Sequence, residues 1–189
     1  RRYYRKGMTD LNPNNQSIFD IDGVQKDINR RAIAIGFALI FVSGFMTWID
    51  VDIDDNSGFN LDFSESMKGP SEDDTRDEYE NAGYLWFLSI IGLGAIVLRK
   101  DKLTEHIGDE NYGSFFLALG IFCALLAFAT YNEVTENIED FEDAIDDLES
   151  LYEDSIDAKA EIKLGFYIGI LGPLGVLYGA YNIYNDQKT

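Results

Sequence analysis

The chain has 189 residues, one domain's worth, with 34 Asp and Glu against 15 Lys and Arg, yet 46% of it is apolar. Its formal charge of −19 argues against non-specific binding to nucleic acid or to anionic lipid head groups, since both need a cationic surface. A lone cysteine, Cys123, excludes an intrachain disulfide, and a lone histidine, His106, leaves no set of imidazoles to hold haem or zinc.

Residues 1–31 form a polar N-terminal arm. It carries Arg1, Arg2, Arg5, Lys6, Lys26, Arg30 and Arg31 and shows no cleavable signal peptide. Because the numbering opens on Arg1, some residues are expected to precede it. Asn12-Pro13-Asn14-Asn15 marks a loop, after which Ile18, Phe19, Ile21 and Val24 suffice for a short apolar contact. The arm is either an inner docking element or a flexible tail.

Four segments without a charged residue follow: 32–49, 83–98, 112–131 and 164–184. They hold 16 to 21 residues, close to the roughly 20 that a helix needs to cross a hydrocarbon core of about 30 Å. The expected fold is therefore an all-α membrane protein, a four-transmembrane-helix bundle, with a membrane domain over 32–185 and a tail at 186–189.

The connection 50–82 alternates, with Val51 and Ile53 on one face and Phe59, Leu61 and Phe63 on another, around Asp54-Asp55-Asn56-Ser57-Gly58. That pattern predicts a small β-hairpin. Residues 72–80 are acidic and are expected to start the second span. The connection 132–163 differs. Ile138, Phe141, Ile145, Leu148 and Tyr152 recur at helical spacing among acids, which predicts an amphipathic acidic helix whose stripe packs on the first outer loop or on a neighbour. A bend around Glu149–Asp154, or a helix lying flat, must bring the chain back to the fourth span.

Eleven of the Lys and Arg fall in the arm, the 99–111 loop and the tail, against Lys68, Arg76, Lys159 and Lys163 in the other two connections. The positive-inside rule then places both termini in the cytoplasm. Those two outer loops hold 25 of the 34 acids. So acidic a surface repels itself unless salt screens it, and at about 1 M salt the Debye length is only about 3 Å. The expected source is a halophile, most simply an archaeon; a calcium-collecting outer surface is the rival reading.

Without a hydrophobic drive between them, membrane helices associate through small residues. Gly165, Gly169, Gly172, Gly175 and Gly179 fall three or four apart on the fourth span, Gly113, Gly120, Ala124 and Ala127 line the third, and Ala32, Gly36, Ser43 and Thr47 line the first. These faces predict packing within the bundle or dimerisation. Pro173 should kink the fourth span. Trp48, Tyr84, Trp86, Tyr131, Tyr178, Tyr181 and Tyr184 near span ends read as interfacial anchors. Gly83-Tyr84 with Ile90-Ile91-Gly92 resembles Gly165-Phe166 with Ile170-Leu171-Gly172, which hints at a duplicated two-span unit.

Chemistry is scarce. Ionisable residues inside spans mark ion and proton pathways, and these spans have none, which argues against a pump. No phosphate-binding glycine loop or zinc spacing occurs. Cys123 is expected to be a small packed residue and His106 a solvated loop side chain. Asp50, Asp52, Asp54 and Asp55 begin like an Asp-x-Asp-x-Asp calcium loop. The pattern departs at its sixth position, Asp55 in place of Gly, and at its twelfth, Leu61 in place of Glu. No cofactor is expected beyond weakly bound cations.

The run Met46-Thr47-Trp48-Ile49-Asp50-Val51, with Ile91-Gly92-Leu93-Gly94 and Leu171-Gly172-Pro173-Leu174-Gly175, resembles a group of uncharacterised four-span membrane proteins of haloarchaea. The resemblance covers about residues 32 to 185. It implies a first span that ends in an aromatic residue before a β-prone outer loop. Claudin-like proteins share the layout, although this chain lacks their paired loop cysteines. The functional expectation is a non-catalytic structural or accessory subunit of a cellular or virion membrane assembly, with the lipid bilayer and other membrane or surface subunits, or a second copy, as partners. An outward-facing sensor or adhesion module that binds cations is the alternative, and a channel or transporter the third.

Overall fold

A computed structural model describes residues 17–55, 63–72, 79–152 and 156–188. Its helices are α1 (Ile21–Lys26), α2 (Ile28–Ser43), α3 (Glu80–Val97), α4 (Lys100–Ile107), α5 (Tyr112–Tyr152) and α6 (Leu164–Asp186), with a 3-10 turn at Asp109–Asn111. Its strands are β1 (Thr47–Asp55), β2 (Phe63–Lys68) and β3 (Ile156–Ile162).

Local chemistry sets the helix ends. Asp27 caps α2, its Oδ1 accepting from the amides of Asn29 at 2.9 Å and Arg30 at 3.2 Å. Asp20 caps α1 in the same way through Gly23 at 3.0 Å. Gly108, at φ +84°, stops α4 in a backbone region that side chains with a Cβ disfavour. The helix α6 continues through Pro173.

The expected first span, 32–49, is corrected at both ends. Its helix begins at Ile28 and stops at Ser43, after which Gly44, Phe45 and Met46 close a tight turn with amide bonds to the carbonyls of Phe41, Val42 and Ser43. Thr47, Trp48 and Ile49 open β1 instead. β-branched and aromatic side chains after a glycine favour the pleated form, and the buried Trp48 Nε1 donates back to the Ser43 carbonyl at 2.8 Å. The 16 residues of α2 rise about 24 Å, short of a full hydrocarbon core. Among the described residues three helices, α3, α5 and α6, are long and apolar enough to cross a membrane.

Around the bundle each of α2, α3, α5 and α6 packs on two neighbours, in the order α2–α3–α5–α6. Ile33, Phe37, Ile40, Leu85, Ile96, Phe116, Leu126 and Val176 form its core, and Cys123 is buried within it. The α2–α6 seam runs end to end. At one end Asn182 Nδ2 donates to Asn29 Oδ1 at 3.3 Å. At the other a methyl on Gly165 would lie 2.6 Å from the Thr47 carbonyl oxygen. Between them a methyl on Gly36 would fall 2.6 Å from the Gly172 carbonyl oxygen, and one on Gly169 2.6 Å from Ser43 Oγ.

The sheet has the order β2-β1-β3, both pairings antiparallel. The second strand of the expected hairpin drew on residues 59–63, and 56–62 lie outside the described residues; β2 is the segment 63–68. The strand β3 is a correction to an outer loop 132–163 expected to be helical. The helix α5 does continue outward to Tyr152, giving 41 residues and a rise of about 61 Å, but the chain returns as a strand. A strand covers about 3.3 Å per residue against 1.5 Å for a helix. The seven residues of β3 therefore cover about 23 Å, the rise of about 15 residues of α5. The bend expected at 149–154 does not occur over 149–152, which continue the helix, while 153 and 154 lie outside the described residues; the expected helix start at 72–80 falls largely on residues 73–78, likewise outside.

The seam yields a paired test. Replacing Gly36 by Val, against the carbonyl of Gly172, should destabilise the protein by about 1–3 kcal/mol. Gly94→Ala, where a Cβ meets nothing within 4 Å, should be neutral or stabilising by up to about 1 kcal/mol. Thermal unfolding of both variants in detergent checks the contrast.

Candidate functional site

Polar chemistry collects at the two ends of the bundle. At the sheet end a second core of Trp48, Ile49, Tyr79, Ala82, Val134 and Phe166 seats the strands on the helices. Trp48 and Phe166 meet edge to face with centroids 5.3 Å apart. Trp48, expected to anchor at an interface, is 2% exposed, so its indole serves the sheet–bundle junction instead. Tyr84, Tyr131, Tyr178 and Tyr181 do lie outward, whereas Trp86 stacks on Phe41 and donates to its carbonyl at 3.0 Å.

The outer stripe of α5 is divided. Ile138 packs with Val134 against the second core, while Phe141 and Ile145 are half-buried; the side chains of Leu148 and Tyr152 lie outside the described ones. Asn137 Nδ2 donates to the Tyr79 hydroxyl at 3.2 Å and Asn81 Nδ2 to Glu133 at 3.3 Å, tying α5 to the start of α3. Val134 had a readable signal, since it precedes Ile138 by one helical turn.

The carboxylates weighed for calcium lie along β1, not in a turn. Alternate residues of a strand stand about 6.6 Å apart, so Asp50 and Asp52 are spread along one face rather than gathered round one ion. The side chains of Asp54 and Asp55 lie outside the described ones. Among the described residues no group of three or more His, Cys, Asp or Glu is placed to hold a metal. Asp50 instead accepts from Ser66 Oγ at 2.6 Å and faces Lys163 Nζ at 3.3 Å. The Ser66 hydroxyl, then Lys163, holds its carboxyl below the usual range. Asp50 is the cross-strand partner of Glu161, a like-charge pair that is destabilising by itself. Lys163 Nζ, 2.6 Å from Glu161, counters both carboxylates. An open cleft of about 590 Å³ lies beside them, lined by Phe45, Met46, Asp50, Ser66, Lys163 and Leu164 among others.

At the opposite end Arg30 is 6% exposed, though its sequence position suggested only a charge at a helix terminus. Its guanidinium meets Asp20 at 2.8 Å and donates to the carbonyls of Ile96 at 3.0 Å and Leu98 at 3.3 Å. The arm is fixed there as well by Asp20 N to Val97 O at 2.8 Å and Arg99 N to Ile18 O at 3.0 Å. Of the apolar residues expected to dock the arm only Val24 is buried; Ile18, Phe19 and Ile21 are more than half exposed. Backbone bonds and one arginine hold the arm. Nothing in residue spacing signals the Asp20–Arg30 pair. His106 is exposed on α4, its Nδ1 3.1 Å from the Lys102 carbonyl.

Gly36, Ser43, Gly165, Gly169, Gly172 and Gly179 are buried in the α2–α6 seam, with Gly175 half-buried. On α5, Gly120 faces Val176 and Leu177 of α6, Ala127 is buried and Ala124 half-buried. No protein-family model matches the chain, and no curated protein sequence does.

Two tests follow. Lys163→Met leaves Asp50 and Glu161 facing each other, so its unfolding temperature should drop at low ionic strength and recover as salt rises. Arg30→Met should cost about 1–3 kcal/mol by orphaning the Ile96 and Leu98 carbonyls. The hydrogen bond from Arg30, then that from Gly23, holds the Asp20 carboxyl below its ordinary value of 3.8. Its contribution is present above that value and is lost as pH falls through the lower folded one. Hydrogen exchange of the Asp20 and Arg99 amides, corrected for intrinsic rate, should report release of the arm in either case.

Proposed function

We propose that the chain is a four-span integral membrane protein and a non-catalytic structural or accessory subunit of a larger membrane assembly. One observation carries the membrane reading: the exposed faces of the bundle helices are apolar. On α6 the exposed stripe is Leu164, Tyr167, Leu171, Leu174, Tyr178 and Tyr181, at spacings of three and four. On α5 it runs Ile121, Phe122, Leu125, Phe128 and Tyr131, and then gives way to Asn132, Glu136, Glu139, Asp140 and Asp143. Water on the first part of that face and lipid on the second would both be unfavourable, so the change marks a bilayer edge near residue 132.

The short helix α2 joins the other three as a fourth span. It too turns Ile35, Leu39 and Val42 outward, and the Gly44–Met46 turn extends it to the sheet. The Lys and Arg distribution favours termini in the cytoplasm and the sheet outside. The outer surface, with acids on every exposed face of the distal α5, suits the screening of a saline medium. The accessory role rests on spans that carry charge only at their ends and on an acidic outer platform fit to meet a partner. A cation-binding sensor is the second reading, favoured by the density of exposed carboxylates on the distal α5.

Gentle extraction from native membranes at high salt, followed by sizing and mass spectrometry, tests the role. A fixed stoichiometric set of companion proteins is expected. A lone monomer or homo-oligomer would remove the accessory reading, and chelator-sensitive protease protection of the outer loops would then favour the sensor.

A further inference from the structure

Ile18, Phe19, Ile21 and Ile28 are 51–61% exposed, yet the segment that carries them is fixed in place. The Asp20–Val97 and Arg99–Ile18 backbone bonds and the Arg30–Asp20 pair hold it across the ends of α2 and α3. It therefore lies at the height where the apolar faces of those helices stop. On α2 the exposed stripe continues from Ile28 past Arg31 to Ile35, Leu39 and Val42, so the arm's apolar surface joins the face read above as lipid-covered.

We propose that residues 18–28 form an interfacial element that seats Ile18, Phe19, Ile21 and Ile28 in the head-group–acyl boundary of the leaflet nearest the chain termini. The inference rests on the membrane reading. Its occupant is lipid rather than protein because the patch is continuous with that face and because Arg31 stands within it, where a long stem can reach head groups. The contact is apolar rather than electrostatic. Around it Arg99 pairs with Asp101 at 2.8 Å, Lys102 with Glu105 at 2.7 Å and Arg30 with Asp20, leaving little net positive charge to select anionic lipid. Seating the arm would also fix the depth of the short helix α2, which has no other long apolar flank on that side.

The test uses the full chain with Cys123→Ala, reconstituted in liposomes of phosphatidylcholine with and without phosphatidylglycerol. Nitroxides are placed singly at Phe19→Cys and Ile21→Cys, with Leu125→Cys as the reference for an embedded face and Glu105→Cys for water. Power saturation compares accessibility to oxygen and to a water-soluble nickel chelate. The expected result is an oxygen-to-nickel ratio at positions 19 and 21 several-fold above that at 105, below that at 125, and equal in both lipid mixtures. A ratio at 19 and 21 equal to that at 105, with 125 still shielded from nickel, overturns the arm proposal and leaves the membrane reading standing. Protection at 19 and 21 from both reagents also overturns it, in favour of a protein cover. Nickel access at 125 overturns the membrane reading and the arm proposal with it. Both labelled positions are more than half exposed and neither belongs to a buried core cluster, so folding should survive the labels.

Discussion

The backbone separation of α2 and α6 is the constraint on which the rest of the molecule depends. These helices lead directly into paired strands: α2 ends at Ser43 and β1 begins at Thr47, while β3 ends at Ile162 and α6 begins at Leu164. Strands in a sheet lie about 4.8 Å apart, whereas helices with ordinary side chains pack at 8–10 Å. Two helices at the wider spacing could not run straight into neighbouring strands. Glycines at 36, 165, 169, 172 and 179 remove the side chains that would hold α2 and α6 apart, and the Lys163 amide reaches the Trp48 carbonyl at 2.7 Å where helix gives way to strand. The helix seam and the sheet are thus one continuous ribbon with two kinds of ladder.

A second division, along the axis, follows from solvation. Facing inward, α5 keeps one apolar row along the bundle and beyond it, from Phe116 through Cys123 and Leu126 to Val134 and Ile138. Facing outward, it changes from apolar to acidic near Asn132. The core therefore ignores the boundary that the surface respects. That is what a single helix serving both a bundle and a strand platform requires, because its packing partners change from helices to strands where its outward face changes from apolar to acidic.

The long helices were legible because an uncharged run of 16 or more residues has few alternatives. The error at Thr47–Ile49 arose because Trp48 and Ile49 extend the same uncharged run. Composition cannot mark a helix end there, and only Gly44 and the β-branched residues after it signal the change. The strand β3 was readable in principle, since Ile156, Ala158, Ala160 and Ile162 alternate with Asp157, Lys159 and Glu161. Two alanines make that alternation faint, and the acids around it read as part of the preceding helix. The glycine faces were legible as a pattern but their partner was not, because spacing names a face and not what lies across it. Arg30 was opaque for a different reason: its partners are one carboxylate and two backbone carbonyls, and carbonyls leave no trace in a sequence.

The ribbon formed by α2, β1, β3 and α6 also has a mechanical meaning. Each half is nearly unbroken backbone, so a pull on the sheet is carried along covalent chain into the helix pair rather than absorbed in a loop. Along that pair Ile33, Ile40 and Val176 press against the bare glycine backbone opposite, so the two halves are keyed together and cannot slide without repacking. At the far end lies the Asn29–Asn182 bond, and one residue on, Arg30 grips α3. A load on the sheet would thus reach the arm through a close-packed pair of helices, giving the molecule the form of a stiff strut stitched along its glycine seam.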